Sequence, residues 1–349
     1  MDYYFLFIPL VAAASFALTL FLRNYALAQN LLDVPNARSS HSMPTPRGGG
    51  VAFVLTYIFF LALAWWAGSV PGSFFFSSAG AGLAVSIIGF VDDHSHIAAR
   101  WRLLGHFSAA VLAVGTLGAF PAISLPGIEL DLGAVGYALA IVYLVWMLNL
   151  YNFMDGIDGL AGVEALTTCL GMAFLYSISG HLELILAPVL LATCVAGFLV
   201  LNFPPAKIFM GDAGSGFLGV VLGGLSLQAT WKQPELLWPW LILMGVFIVD
   251  ATFTLLRRLL RGDKVYEAHR SHAYQFASRR VGGHFPVTVC VGVINVFWLL
   301  PIAFCVTYLG LTGVIGVGVA YAPLLLLAVR YHAGALECSD HSHDQGSSL

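Results

Sequence analysis

Residues 148–162, with the sequence LNLYNFMDGIDGLAG, lie between two long apolar runs, and they decide how the chain must fold. The flanking runs, 132–150 and 160–178, are close to the length of about 20 residues that a helix needs to cross ~30 Å of hydrocarbon. The join between them holds two amides and two carboxylates at spacings of three: Asn149, Asn152, Asp155 and Asp158. Such oxygen-rich groups suit a hard cation such as Mg²⁺, or the polar edge of a nucleotide. The stretch therefore predicts a polar site where two membrane helices end.

The composition of the whole chain indicates an all-α polytopic membrane protein. Of its 349 residues, 59% are hydrophobic and only 9% are charged, whereas a soluble domain carries about 25% charged residues. The start, MDYYFLFIPLV, has no basic region or cleavage site, which predicts a retained first span. About eleven apolar runs can form transmembrane helices: 3–22, 49–66, 74–91, 105–120, 132–150, 160–178, 184–201, 217–228, 236–254, 287–308 and 311–331.

The basic residues predict the orientation. The chain has 15 Lys and Arg residues, and all of them except Lys232 fall in one set of alternating loops. Because loops rich in Lys and Arg face the cytoplasm, we expect the N-terminus outside and the C-terminus in the cytoplasm. This predicts one integral-membrane catalytic domain, residues 1–331, followed by a polar cytoplasmic tail, residues 332–349. Its active site would be built from the cytoplasmic loops 23–49, 92–104, 149–159, 202–216 and 257–285.

The first cytoplasmic loop contains DVPNARSSHSMPTPRGGG. His41 and Arg47 are candidate ligand-binding groups in a segment that its prolines keep from being helical. The glycines at positions 48–50 would let a ligand approach the backbone closely. A basic anchor with a flexible turn is the alternative interpretation, and on this loop alone it is favoured.

The second loop follows a membrane helix that ends in Asp92 and Asp93. Adjacent carboxylates at this position are costly unless they are paired or functional, and their repulsion can raise one pKa and produce a base. Arg102 follows as a candidate phosphate ligand. A purely structural pairing with arginines is the alternative, but carboxylates at a helix C-terminus oppose the helix dipole.

The fourth and fifth loops add further candidates. Asp212, in NFPPAKIFMGDAGSG, is either a metal ligand or part of a helix-capping turn. Asp250 precedes Arg257 and Arg258 by seven and eight residues, which predicts a structural ion pair on one helix face. The run 269–272, HRSH, could bind Zn²⁺, but no third ligand completes a site, so phosphate oxygens are favoured.

Together these groups are those required for phosphoryl transfer, in which Mg²⁺ and cationic side chains hold phosphate oxygens while another group readies the nucleophile. Their position at one face predicts a lipid substrate and a soluble nucleotide substrate, and no nucleic-acid partner. A transporter is an alternative, but its site should lie near the membrane midplane. A lipid prenyltransferase would leave the basic HRSH run unexplained.

Five segments carry a resemblance that extends nearly end to end: DVPNARSSHSMPTPRGGG, FVDDHSHI, NLYNFMDGIDGLAG, IFMGDAGSGFLG and AHRSHAYQ. The chain resembles the polyprenyl-phosphate N-acetylhexosamine-1-phosphate transferases, the glycosyltransferase 4 family with its WecA and MraY types. The resemblance implies a multi-pass enzyme of the bacterial inner membrane with its active site facing the cytoplasm. It implies transfer of a sugar-1-phosphate from a UDP-N-acetyl-sugar to undecaprenyl phosphate, with release of UMP. It also implies Mg²⁺, with Mn²⁺ as a substitute, and leaves a homodimer open.

The resemblance also implies roles for particular residues. Asp92 and Asp93 match the catalytic aspartate pair, Asn152 and Asp212 match positions that hold Mg²⁺, and Asp155 and Asp158 match the nucleotide-binding part of the motif. The phosphate-binding groups would be Arg102, His269, Arg270 and His272, with His41 and Arg47 as additional candidates.

Two departures bear on the sugar. The MraY type has a Lys shortly after the aspartate pair and three consecutive histidines in the last loop, where this chain has His94-Ser95-His96 and HRSHAYQ. The resemblance is closer to the WbpL-like branch that initiates O-antigen of lipopolysaccharide with a 6-deoxy sugar, N-acetyl-fucosamine or N-acetyl-quinovosamine. UDP-N-acetylglucosamine is the alternative substrate.

Overall fold

A computed structural model describes residues 4–35, 43–95, 97–125, 127–264 and 269–336. These residues form fourteen α-helices, two short β-hairpins and a few single turns of tighter or wider helix. The helices are α1 (Tyr4–Ala28), α2 (Gly50–Trp66), α3 (Gly72–Ser95), α4 (Ala99–Leu117), α5 (Val135–Met154), α6 (Leu160–Ser179), α7 (Leu186–Asn202), α8 (Asp212–Lys232), α9 (Leu237–Leu243), α10 (Gly245–Leu260), α11 (Ala273–Val281), α12 (His284–Ile294), α13 (Leu300–Tyr308) and α14 (Gly313–Arg330).

The two hairpins lie in loops between helices. In the loop after α1, β1 (Leu32–Asp33) pairs antiparallel with β2 (Thr45–Pro46), with Asp33 opposite Thr45. In the loop after α4, β3 (Ile123–Leu125) pairs antiparallel with β4 (Ile128–Leu130). The rest of the described chain is helical or connects helices, which confirms the predicted all-α class.

By length and composition, eight helical segments of the described chain are able to cross a membrane, or nine when α9 and α10 count as one bent span. Two further predicted runs correspond to α2, which is apolar but has only 17 residues, and to α4, which begins with Arg100 and Arg102. The polytopic character is therefore confirmed. The number of about eleven spans and the orientation stay predictions.

Helix α8 forms the centre of the bundle. Of its most apolar 18-residue window 94% is buried, against 17% for α1 and 22% for α14. It packs against α3 on one side and α5 on the other. The approach to α5 is close, because a methyl group on Gly219 would overlap the backbone of Met147 and Leu148. Sequence alone predicted only the short run 217–228 here, whereas the buried helix has 21 residues and begins at Asp212.

The predicted ninth run, 236–254, is not one straight helix. It breaks at Met244, where α9 and α10 meet with a bend of 75°. The buried Glu164 of α6 lies at this break, and the backbone N–H of Phe247 in the first turn of α10 interacts with its carboxyl group. On its other side Glu164 accepts a hydrogen bond of 2.6 Å from the amide of Asn295, where α12 and α13 are joined by a π-helical turn. A buried carboxyl group thus receives one of the backbone N–H groups that the broken span leaves without a partner in its own helix.

Candidate active site

The end of α3 lies directly against the start of α8. Gly89 makes this possible, because a methyl group at that position would overlap the backbone of Asp212 and Ala213. Four residues further on, both carboxyl oxygens of Asp93 accept the backbone N–H of Asp212, at 3.1 and 3.3 Å. Asp93 therefore caps the N-terminus of α8, where a negative charge is favourable. The negative charge of Asp93 opposes the dipole of its own helix, α3, but complements the dipole of α8.

Arg47 joins the first loop to this junction. One of its terminal nitrogens contacts Asp93 at 2.8 Å and Asp212 at 2.9 Å. Burial acts to lower the pKa of Arg47, but the charges of Asp93 and Asp212 outweigh it and raise that pKa. Gly49 and Gly50 pack against neighbouring residues, whereas Gly48 has open space beside its Cα. The expected approach of a ligand to this backbone stays a prediction. Gly49 and Gly50 donate backbone hydrogen bonds of 2.9 Å to Phe209 and Met210, just before α8.

Arg102 and Asp92 form a second ion pair beside the first. A guanidinium nitrogen of Arg102 lies 2.6 Å from Asp92 and 3.6 Å from Asp212. Asp92 also accepts the backbone N–H of Ile97 at 2.7 Å, which closes the turn between α3 and α4. The side chain of Asp92 is 11% exposed, against 3% for Asp93, so Asp92 is the more accessible of the pair.

The stretch that joins α5 to α6 completes the cluster. Asn152 donates a hydrogen bond of 3.3 Å to Ser215 in the first turn of α8. Asp155 follows at the end of α5 and interacts electrostatically with Asp212, Arg47 and Asp93. Burial, followed by the charge of Asp212, raises the pKa of Asp155 well above its usual value. The third and fourth loops therefore meet at this cluster.

Carboxyl groups outnumber cationic groups in this cluster. Four carboxyl groups, Asp92, Asp93, Asp155 and Asp212, share the two guanidinium groups of Arg47 and Arg102, which leaves two more acidic than basic groups. Carboxylate and amide oxygens are hard donors, so an excess of them suits a divalent cation such as Mg²⁺. The described residues contain no group of three His, Cys, Asp or Glu side chains arranged for a metal. Asn152 and Asp212, an amide and a carboxylate, would therefore leave most ligand positions for substrate oxygens or water.

Asp158 lies at the far end of the same stretch and is held by its neighbours. Its carboxyl group accepts the backbone N–H of Ala206 at 3.0 Å and lies 3.2 Å from the imidazole of His284. Its backbone carbonyl accepts the hydroxyl of Thr288 at 2.8 Å. The residue thus ties the third loop to the fourth loop and to α12. Its predicted contact with the nucleotide remains a prediction.

The run 269–272 lies on the other side of the 148–162 stretch. The ring of His272 stacks on Phe153, and the hydroxyl of Tyr274 donates to the carbonyl of Phe153 at 3.0 Å. Asp250 holds this run by accepting the backbone N–H groups of Ala273 and Tyr274 at 2.9 and 3.0 Å. It also lies 3.3 Å from His272.

The predicted ion pair of Asp250 with Arg257 and Arg258 is therefore wrong. The start of α11 satisfies the Asp250 carboxylate with backbone N–H groups, so that carboxylate does not need the arginines. Arg258 instead approaches Asp263 at 3.5 Å, and Arg257 donates to the carbonyl of Ala333.

The remaining predicted phosphate ligands differ in their surroundings. His269 contacts the hydroxyl of Ser271 at 2.9 Å, and burial lowers its pKa to about 3, so it is neutral at physiological pH. The carbonyl of Arg270 accepts a hydrogen bond from Arg279 at 3.1 Å. His272 is only 2% exposed and fixed by Asp250, which makes it the least accessible of the three. His41 lies outside the described residues.

The fold and this cluster define a class of protein: a polytopic membrane enzyme. Its loops bring together acidic and cationic groups that are suited to binding a phosphate ester. The sequence model of glycosyl transferase family 4 matches residues 75–230. A Bacillus subtilis protein named probable undecaprenyl-phosphate N-acetylglucosaminyl 1-phosphate transferase is 31% identical, over 74% of this chain and 72% of that protein. A decaprenyl-phosphate N-acetylglucosaminephosphotransferase of Mycolicibacterium smegmatis is 30% identical, over 74% and 73%. A phospho-N-acetylmuramoyl-pentapeptide-transferase of Pelotomaculum thermopropionicum is 29% identical, over 84% and 91%.

These similarities place the chain in glycosyl transferase family 4, as a multi-pass membrane enzyme that is a phospho-sugar transferase. The family resemblance found in the sequence is thereby confirmed. The WbpL-like branch is not singled out by these relatives, two of which carry N-acetylglucosamine in their names.

Proposed function

We propose that this enzyme transfers an N-acetylhexosamine-1-phosphate from a UDP-sugar to a polyprenyl phosphate, undecaprenyl phosphate in a bacterial inner membrane, at the cytoplasmic face. The observation that carries the proposal is the cluster formed by Arg47, Arg102, Asp92, Asp93 and Asp212 where α3, α8 and the first loop meet. Cationic and acidic groups at the end of membrane helices suit a reaction between a lipid phosphate and a soluble diphosphate. The names of the relatives point to the same reaction.

The proposed step is one displacement at phosphorus. A phosphate oxygen of the lipid attacks the sugar-linked phosphorus of the UDP-sugar, and the bond from that phosphorus to the bridging oxygen breaks. UMP leaves with the bridging oxygen, and the product is a lipid diphosphate that carries the sugar. Asp92 is our choice for the group that readies the lipid phosphate, because its side chain is the more exposed of the two, whereas Asp93 is buried and caps the N-terminus of α8.

The diphosphate is held by cations and hydrogen-bond donors in this proposal. Arg102, His269 and Arg270 bind its oxygens, while Asp155 and Asp158 face the nucleotide. A bound Mg²⁺ would neutralise the charge of the diphosphate, and Asn152 and Asp212 would hold it. His272 supports this arrangement through the loop, since Asp250 and Phe153 fix its ring.

A two-step route through a phospho-aspartyl intermediate is the rival mechanism. The two routes differ in stereochemistry, because one displacement inverts the configuration at phosphorus and two displacements retain it. A substrate made chiral at the sugar-linked phosphorus separates them: inversion supports direct attack, and retention contradicts it.

For the sugar we retain two candidates. The HRSHAYQ form of the last loop favours a 6-deoxy sugar, N-acetyl-fucosamine or N-acetyl-quinovosamine, and a role in O-antigen initiation. The names of the B. subtilis and M. smegmatis relatives favour UDP-N-acetylglucosamine.

The test is a panel of UDP-sugars offered to the purified full-length protein with undecaprenyl phosphate and Mg²⁺. We expect UMP release with at least one UDP-N-acetylhexosamine, and release that requires both the lipid and the metal. An Asp92→Asn variant serves as the inactive control. Absence of UMP release with every sugar of the panel would contradict the proposed function.

A further inference from the structure

The chain that follows α14 folds back onto the arginines of α10. Ala333 is fully buried, and the turn around it uses positive φ angles at His332 (54°) and Gly334 (73°). Arg257 donates a hydrogen bond of 2.9 Å to the carbonyl of Ala333, and Arg261 donates one of 2.7 Å to the carbonyl of Gly334. The other two nitrogens of Arg261 pair with the carboxylate of Asp263. Both arginines are therefore engaged within the protein and are not aimed at a substrate phosphate.

The same turn is attached to the run that carries the predicted diphosphate ligands. The backbone N–H of Gly334 donates to the carbonyl of Ser271 at 2.6 Å. The hydroxyl of Ser271 in turn contacts the imidazole of His269 at 2.9 Å. Ser271 thus connects residues 331–334 to the side chain of His269 in two consecutive hydrogen bonds.

Gly334 also packs tightly against α10. A methyl group at Gly334 would lie 3.0 Å from the Cβ of Arg257 and 3.1 Å from the carbonyl oxygen of Thr254. Because Gly334 has a positive φ as well, any side chain there would be strained. The close contact of this turn with α10 therefore requires glycine at position 334.

Asp250 holds the neighbouring half of the run from inside the bundle. It accepts the N–H groups of Ala273 and Tyr274 and contacts His272. Residues 269–274 are therefore held at two places by side chains of α10 and its C-terminal end. Asp250 contacts residues 272–274 directly. Arg257 and Arg261 hold the turn whose Gly334 binds the carbonyl of Ser271. The arginine contacts are hydrogen bonds from charged donors, which are stronger than neutral ones.

We propose that residues 331–334, gripped by Arg257 and Arg261, form a C-terminal clamp that positions His269 and Arg270 for binding the diphosphate of the UDP-sugar. Arg257 and Arg261 are positioning residues, since their guanidinium groups contact the clamp. This inference rests on the proposed function for the identity of the ligand. The positioning itself does not depend on which UDP-sugar is used.

The experiment compares the full-length double variant Arg257→Gln/Arg261→Gln with wild type and with Arg330→Gln. Arg330 is an exposed arginine at the end of α14, so the control also removes a positive charge from that surface. Initial rates of UMP release are measured against UDP-sugar and, separately, against undecaprenyl phosphate. We expect the KM for the UDP-sugar to rise about tenfold or more in the double variant, as for the loss of charged hydrogen bonds. The KM for the lipid should not change.

Loss of folded enzyme alone would lower kcat and leave both KM values as they are, so that result would overturn the clamp. Hydrogen exchange of the full-length protein supplies a measurement that does not depend on activity. We expect the backbone amides of residues 269–276 to exchange about tenfold faster in the double variant, and at the wild-type rate in Arg330→Gln. Unchanged exchange in the double variant would overturn the clamp even if no UDP-sugar reacts. A wild-type protein without UMP release but with the predicted exchange would contradict the proposed function only.

Discussion

Asp92 and Asp93 are adjacent in sequence but have different surroundings. Asp93 caps α8 and pairs with Arg47, and its side chain is almost fully buried. Asp92 pairs with Arg102 and is more exposed. The sequence predicted only that this aspartate pair is either paired with cations or functional. It could not predict the capping role of Asp93, because the helix that Asp93 caps begins 119 residues further along the chain.

This difference predicts distinct effects of the two amide substitutions. Asp93→Asn removes a negative charge from a helix N-terminus, which should lower stability by about 1 kcal/mol or more and reduce UMP release. Asp92→Asn should reduce UMP release by about 100-fold or more, as for loss of a catalytic base, and should lower the melting temperature less than Asp93→Asn does, because Asp92 is the more exposed of the two carboxylates. Thermal melting and initial rates check both. Equal melting temperatures for the two variants would contradict the division of roles.

Substitution of Asp212 tests its predicted role as a ligand of Mg²⁺. In Asp212→Asn we expect the Mg²⁺ concentration for half-maximal UMP release to rise about tenfold or more, because a charged ligand is lost. The matched control is Asp131→Asn, which removes an exposed carboxylate from the loop before α5. A normal Mg²⁺ dependence in Asp212→Asn would remove this residue from the metal site.

His269 predicts a pH dependence of stability. Burial lowers its pKa from 6.5 to about 3, so the unfolded chain takes up a proton at higher pH than the folded protein. The stability that His269 contributes is therefore complete above pH 6.5 and is lost as the pH falls towards 3. We expect the melting temperature of wild type to fall more between pH 7 and pH 5 than that of His269→Gln. Equal losses in the two proteins would contradict this, and His94→Gln, at an exposed histidine, should behave as wild type.

The candidate site could be predicted from sequence only as an inventory of residues. Arg47 was ranked as an additional candidate, yet it contacts both Asp93 and Asp212. The glycines at 49 and 50 were the available signal, since they let the first loop pair with residues 209 and 210. Asp250 was assigned to nearby arginines because helical spacing relates only residues of the same helix. Its partners are backbone N–H groups at the start of α11.

At the scale of helices, the position of α8 between α3 and α5 sets the distance between the two halves of the site. Asn152 lies in the last turn of α5 and Asp212 begins α8, so a shift between these helices changes the geometry of the predicted metal ligands. At Gly219, α8 approaches the α5 backbone so closely that a methyl group would overlap it. Small residues at such a contact are typical of membrane helix pairs.

Gly219→Ala should therefore be strongly disruptive. Its methyl group would overlap the backbone of Met147 and Leu148, which cannot move without displacing α5. We expect a lower melting temperature and a loss of UMP release of about tenfold or more, since small misplacements are costly to catalysis. Gly224→Ala is the matched control in the same helix, because its methyl group would meet only a Leu117 side chain at 3.7 Å. Indistinguishable behaviour of the two variants would contradict this role of α8.

Helix positions were predicted well wherever an apolar run lies between polar ends. The prediction failed where tertiary contacts decide the outcome. At the break of α9 from α10, the N–H of Phe247 finds its partner in Glu164, which belongs to a different helix. The length of α8 was underestimated because its first turn is rich in glycine and polar residues, which are buried by neighbouring helices and not by lipid.

For the whole molecule, composition alone predicted a polytopic membrane protein, and the eight or nine candidate spans of the described chain agree with that class. All Lys and Arg residues except Lys232 fall in one set of alternating loops. This distribution predicts that the cluster around Arg47 and Asp212 faces the cytoplasm. Where the loops converge could not be predicted, because that depends on how the helices pack. Arg47, Asp93 and Asp212 come from three separate loops, and Arg47 lies within 3 Å of both carboxylates only in the folded bundle.

The most direct test follows the phosphorus atom. A UDP-N-acetylhexosamine labelled with ³²P at the sugar-linked phosphate is incubated with the purified protein, undecaprenyl phosphate and Mg²⁺, and lipid and nucleotide products are separated. Transfer of a sugar-1-phosphate predicts that the label moves into the lipid fraction in equal amount to the unlabelled UMP released. Label that remains in a released UDP, with the sugar alone on the lipid, would contradict phospho-sugar transfer.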